Sequence, residues 1–227
     1  MSESYNQTSA GAPAAGQVPF RHVVLLGDAL LEAYRTIDKT PGKIESDILP
    51  GSRDEWKLSI VSTAEIAREG PAHPLPKDAT HAMIFIEGNH AIEQSGLLDG
   101  REDAYGRTLE QLSLAADEFE RTLERLIQVA QAARLVIMVC TMFAPNYKEA
   151  VRQRTACAAL AVFNDRVTKS AARARASLID LRLACNEPGD YDKPTLLSKS
   201  GVQKVANVIR FAMYELDVGT RRTEVFF

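Results

Sequence analysis

The stretch VVLLGDALLEAY, residues 23–34, decides the fold. Four apolar residues, Val23 to Leu26, run into Gly27-Asp28, and a helical apolar pattern starts near Leu30. An unbroken apolar run, a glycine turn and then a helix is what a strand buried on both faces needs when it hands over to a crossover helix. The same unit recurs outward along the chain. His22 to Leu26 is the first run, Lys57 to Ser62 the second and His81 to Ile86 the third. Leu135 to Cys140 is the fourth and Ser177 to Leu181 the fifth. Between them, Phe119, Leu123, Leu126, Ile127 and Ala130 share one helical face, as do Val151, Ala158, Val162 and Val167. A last helix carries Val202, Val205, Ala206, Ile209, Ala212, Met213 and Leu216. Ser200 followed by Gln203 reads as its capping box. Five strands alternating with helices predict an α/β domain with a five-stranded parallel sheet, most simply in the order 2-1-3-4-5.

Composition narrows the function classes. The 227 residues are 45% hydrophobic and 25% charged, an ordinary globular balance. With 27 Lys plus Arg against 30 Asp plus Glu, the net charge of −3 supplies no bulk field for nucleic acid. The basic Lys169–Arg175 segment and Arg221-Arg222 read as solvated helix faces. Three scattered cysteines without a CxxC pair point to a reducing compartment, so a cytoplasmic location is expected. The longest apolar run, Leu135 to Cys140, is too short to span a bilayer. Residues 1–19 read as a disordered tail, 20–219 as the domain and 220–227 as a C-terminal extension. The apolar Val225-Phe226-Phe227 is expected to pack onto the domain rather than dock a partner. No His or Cys pair has metal-ligand spacing, and neither GxxxxGK(S/T) nor GxGxxG occurs, so no metal or cofactor is expected.

Ligands of open α/β sheets bind outside the carboxyl ends of the strands, where strand order reverses. In the order 2-1-3-4-5 that point lies between strands one and three. The segments leaving them are Gly27-Asp28-Ala29-Leu30 and Glu87-Gly88-Asn89-His90. Each is a glycine turn followed by polar side chains, which is also ordinary turn chemistry. His90, with Asp28 and Glu87 near, is a possible acid–base group, although a single loop histidine is usually just solvated. Cys140, at the end of strand four, reads as a small buried hydrophobe.

These blocks resemble those of the SGNH/GDSL hydrolases, flavodoxin-like α/β/α esterases and lipases. In that family the first strand ends in Gly-Asp-Ser-Leu. Here Gly27, Asp28 and Leu30 match, and Ala29 stands where the resemblance places the nucleophilic serine. The third block matches through Gly88 and Asn89, with His90 in the usual aspartate slot. Phe163-Asn164, Ile179-Asp180-Leu181-Arg182 and the Asn186–Tyr191 run are similar to a bacterial branch of the family. The resemblance spans about residues 20–215 and implies a three-layer sandwich.

The implied chemistry is incomplete. Ala29 has no hydroxyl, no histidine lies beyond His90, and alignment on Gly201 puts Leu196 at the base position and Lys193 at that of its aspartate. After strand two the chain reads IVSTAEIA, without the glycine whose N–H helps hold the oxyanion. Of the four signature residues only Asn89 remains. The vestigial crevice is therefore Gly27, Asp28, Ala29, Gly88, Asn89, His90 and Leu196. The expected function is non-catalytic, binding a small acyl or carbohydrate-like ligand or a protein partner. The alternative is a GDSL-type esterase, either inactivated by Ser to Ala at 29 or using other residues.

Overall fold

A computed structural model describes residues 21–27, 34, 43–49, 55–86, 92, 105–216 and 223–226. The strands are β1 (Arg21–Leu26), β2 (Trp56–Val61), β3 (His81–Ile84), β4 (Val136–Cys140) and β5 (Ser177–Ile179). Between them run α1 (Lys43–Ile48), α2 (Thr63–Glu69), α3 (Tyr105–Ala132) and α4 (Ala150–Ala174). A short antiparallel hairpin, β6 (Tyr191–Lys193) and β7 (Leu196–Leu197), precedes α5 (Lys199–Glu215). Val225–Phe226 forms β8.

The main sheet is parallel throughout, in the order β2-β1-β3-β4-β5-β8. The expected arrangement of the first five strands holds, but the sheet has six strands rather than five. The sixth is made by the C-terminal extension, whose carbonyls at Glu224 and Phe226 accept the amides of Leu178 (2.7 Å) and Asp180 (2.6 Å). Two residues are too few to carry a periodic signal, which hides this strand in the sequence.

Period-two alternation splits the core into two layers. Val24, Leu26, Ala82 and Ile84 face α3 and α4, where Phe119 and Phe163 meet edge to face with centroids 5.3 Å apart. Val23, Leu25 and Met83 face the opposite side, against Val205, Ala206, Ile209 and Met213 of α5. All five residues of the expected α3 face are buried, as are all seven of α5. The α4 face differs. Its buried row is Ala156, Ala159, Leu160, Phe163, Asn164, Val167, Ser170 and Ala171, whereas Val151 and Ala158 are exposed. Val167 of the expected face is buried, but three alanines and two polar residues fill much of the row, so counting large apolar side chains points to a face offset from it. The cap of α5 is also displaced: Ser198, not Ser200, accepts the Gly201 amide at 3.3 Å.

One buried histidine near the amino end of the sheet makes stability depend on pH. His81 is almost inaccessible, with Nδ1 2.7 Å from Thr80 Oγ1 and its ring 6.1 Å from that of Trp56. Burial, and secondarily the Arg21 charge, lowers its pKa to about 4. An unfolded histidine titrates near 6.5. Between those values only the unfolded chain gains the proton, so stability is full above about pH 6.5 and falls as pH drops towards 4. From pH 6.5 to 5 the expected loss is about 2 kcal/mol, read by urea denaturation at each pH. His81→Gln should flatten that slope; an unchanged slope would assign it to another group.

Candidate active site at the carboxyl ends of the strands

Strands one and three are neighbours, with Leu26 in register with Ile84. Gly27 therefore lies directly against Phe85, at φ +123°, and a Cβ on it would come 2.1 Å from the Phe85 carbonyl oxygen. Its amide donates to Val61 O at 3.1 Å, while the Phe85 amide donates to Leu26 O at 3.0 Å. Gly27 thus splices three strands where they end, and its N–H is already engaged. The other expected crevice residues on these two loops, Asp28, Ala29, Gly88, Asn89 and His90, lie outside the described residues, as does Glu87.

Beyond β2 the chain enters α2 at once. Ser62 Oγ accepts the Glu65 amide at 3.2 Å, and Glu65 Oε2 accepts the Ser62 amide at 2.8 Å. This reciprocal cap occupies the segment in which the resemblance seeks an oxyanion glycine. Gly70, the next glycine, ends the helix at φ +66°.

The ends of β4 and β5 are joined by side chains. Thr141, fully buried, donates to Asp180 Oδ1 at 3.1 Å and accepts the Leu181 amide at 2.9 Å. Burial pushes the Asp180 carboxyl up, but Arg182 beside it, together with the Arg182 amide and Thr141, more than offsets this and holds it below the usual carboxylate range. One residue past Thr141, the Asn164 side chain clamps Met142. Its Oδ1 accepts the Met142 amide at 2.9 Å and its Nδ2 donates to the Met142 carbonyl at 3.1 Å. The Phe163-Asn164 and Ile179–Arg182 blocks therefore brace the chain where β4 and β5 end. Thr141 was invisible in the sequence, since its role depends on a strand neighbour about forty residues on.

The Asn186–Tyr191 run is equally structural. Asp190, almost wholly buried, accepts the amides of Asn186 (3.2 Å) and Glu187 (3.1 Å) and pairs with Lys204 at 2.9 Å. Burial raises this carboxyl, and Lys204 with the two amides brings it below its ordinary value. The Asp190 carbonyl accepts the Ser198 amide at 2.8 Å, and α5 closes so tightly that a Cβ on Gly201 would lie 2.2 Å from that carbonyl oxygen. The Tyr191 hydroxyl reaches the carbonyls of Ala144 (2.7 Å) and Cys185 (2.9 Å). Between these fixtures sits Leu196, half-buried and paired across the hairpin with exposed Lys193. A hydrocarbon and a cation thus stand side by side at the two positions that the family resemblance assigns to a base and its carboxylate.

Cys140 and Cys185 are buried thiols. Burial raises Cys140 far above its ordinary value and pushes Cys185 up to about 12, with the Asp190 charge adding to the latter. In the basic Lys169–Arg175 segment, Lys169 pairs with Asp165 (2.7 Å) and Arg173 with Glu120 (2.8 Å). No described helix is long and apolar enough to cross a membrane.

No family model matches the sequence, and no curated protein sequence matches it. Solved structures do match over most of the chain. The acetyl xylan esterase AlAXEase superposes with a TM-score of 0.60 at 17% identity, covering 86% of this chain and 100% of its own. A lipase/acylhydrolase from Enterococcus faecalis gives 0.56 at 16% identity, covering 87% and 98%. A protein of Parabacteroides merdae described as a GDSL-like lipase gives 0.60 at 12% identity, covering 89% and 99%. The fold is that of the GDSL-type esterases and lipases. Within the GDSL fold, this chain fixes its strand ends with the Gly27 splice, the Thr141–Asp180 link, the Asn164 clamp and the braced loop that carries Leu196.

Proposed function

We propose that this chain is a GDSL-fold protein whose hydrolase site has lost its chemistry and now serves binding or regulation. The observation that carries this reading is Leu196. Its loop is held by Asp190, Tyr191 and Gly201, so the position is well defined, yet the side chain cannot take or give a proton. Ala29 at the nucleophile position supports the same reading. The crevice would receive a small acyl or carbohydrate-like ligand or a protein partner, in the cytoplasm, without metal or cofactor.

The test is steady-state turnover of p-nitrophenyl acetate by the purified protein. Turnover should not exceed that of a non-catalytic control protein, and Ala29→Ser should add little, because members of a triad act as a unit. Repeated saturable turnover by the wild type would overturn the proposal. Robust activity from Ala29→Ser alone would favour the alternative, an esterase inactivated at position 29 with its base supplied by another residue.

A further inference from the structure

A second group of residues, at the opposite end of the sheet from Gly27, has the contacts of an activated serine. His22, near the start of β1, is fully buried. Its Nε2 lies 2.8 Å from Ser59 Oγ on β2. Its Nδ1 lies 2.9 Å from Asp78 Oδ1, off the line of a straight hydrogen bond, in the segment leading to β3. The strand order β2-β1-β3 is what brings the three together, with His22 in the middle. Thr80 fixes the His22 backbone: its Oγ1 accepts the His22 amide at 2.9 Å and its amide donates to the His22 carbonyl at 2.8 Å.

The two ends of this relay differ in environment. Ser59 is half-buried, more enclosed than Asp78 but less so than the His22 ring between them. Asp78 is about half exposed, with Lys57 Nζ 3.5 Å from its other oxygen. The contact to His22, with Lys57 adding, holds its carboxyl below the ordinary range, so it is an anion at neutral pH. A serine hydroxyl is a weak nucleophile until a base takes its proton. Imidazole with Nε2 on the hydroxyl and Nδ1 on a carboxylate is the arrangement that does so, whatever the fold or the order of residues along the chain.

We propose that Ser59 is a base-activated serine that accepts an acyl group from activated short-chain esters and retains it. Ser59 Oγ attacks the carbonyl carbon and its proton passes to His22 Nε2. The new Oγ–C bond forms as the ester C–O bond breaks, and the departing alcohol leaves with the proton. Deacylation needs water activated by the same nitrogen; because the ring is fully buried, Nε2 is approached only past Ser59 Oγ, and the acyl group on that oxygen closes the approach. The product is a stoichiometric adduct, not a catalytic cycle. The site is therefore independent of the crevice.

The experiment incubates the full chain with p-nitrophenyl acetate, follows nitrophenolate release, and locates the acetyl group by peptide mass spectrometry. The expected result is about one equivalent released, with the mass on Ser59, none in Ser59→Ala, and acylation slowed at least about tenfold in Asp78→Asn. Asp78 lies on an exposed segment, so this variant should melt within a few degrees of the wild type and separates activation from folding. A wild-type protein without an adduct on Ser59, or an Asp78→Asn that acylates at the wild-type rate, would overturn the proposal. Multiple turnovers would count against the non-catalytic crevice instead, while a single Ser59 adduct leaves that reading intact.

Discussion

Gly27→Ala should be the most damaging single methyl in the protein. At φ +123° an L-residue is strained by about 1–3 kcal/mol before any contact is counted. The added Cβ would also sit 2.1 Å from the Phe85 carbonyl oxygen, which is backbone and cannot rotate away. Relief requires β1 and β3 to part at the place where Phe85 N bonds Leu26 O. Forced overpacking typically costs a further 1–3 kcal/mol or so. The sum, about 2–6 kcal/mol, corresponds to a melting midpoint lowered by roughly 5–20 °C for a chain of this size. Thermal unfolding followed by circular dichroism measures it, and a shift under about 3 °C would mean that the splice is not as tight as the geometry requires.

Asn164→Ala should come next. The clamp satisfies both backbone groups of Met142, a residue buried beneath α4, and alanine leaves both without a partner. Each buried group stranded in this way costs about 1–3 kcal/mol, giving roughly 2–6 kcal/mol together. Urea denaturation should show a lower midpoint with an unchanged slope. Asn164→Asp keeps an acceptor for the Met142 amide but sets a buried carboxyl oxygen against the Met142 carbonyl, so it should not rescue the loss; a midpoint near that of the wild type would show that the carbonyl contact contributes nothing.

The contrast between what could and could not be read beforehand follows from where the information lies. Val23 to Leu26 is legible because a central parallel strand is apolar on both faces, and the α5 row is legible because it buries large side chains at helical spacing. Val225–Phe226 and the hairpin Tyr191–Lys193 with Leu196–Leu197 are not, because such short elements exist only through their neighbours. The α4 face misleads because Asn164 and Ser170 are buried where a polar residue argues for solvent. At the candidate site, the turn leaving strand one is legible from Gly27, which the structure places against Phe85; the turn leaving strand three lies outside the described residues. Thr141, and the meeting of Ser59, His22 and Asp78, depend on which strands lie side by side, and no local pattern encodes that.

The two-residue strand β8 has a consequence for how the domain behaves among other copies of itself. Without it, the amides of Leu178 and Asp180 would lose the carbonyls of Glu224 and Phe226 and point outward as an open row. An unguarded row of this kind is a template on which a second polypeptide can lay down a strand. A pair of residues close to the C-terminus thus acts as a stopper against edge-to-edge polymerisation.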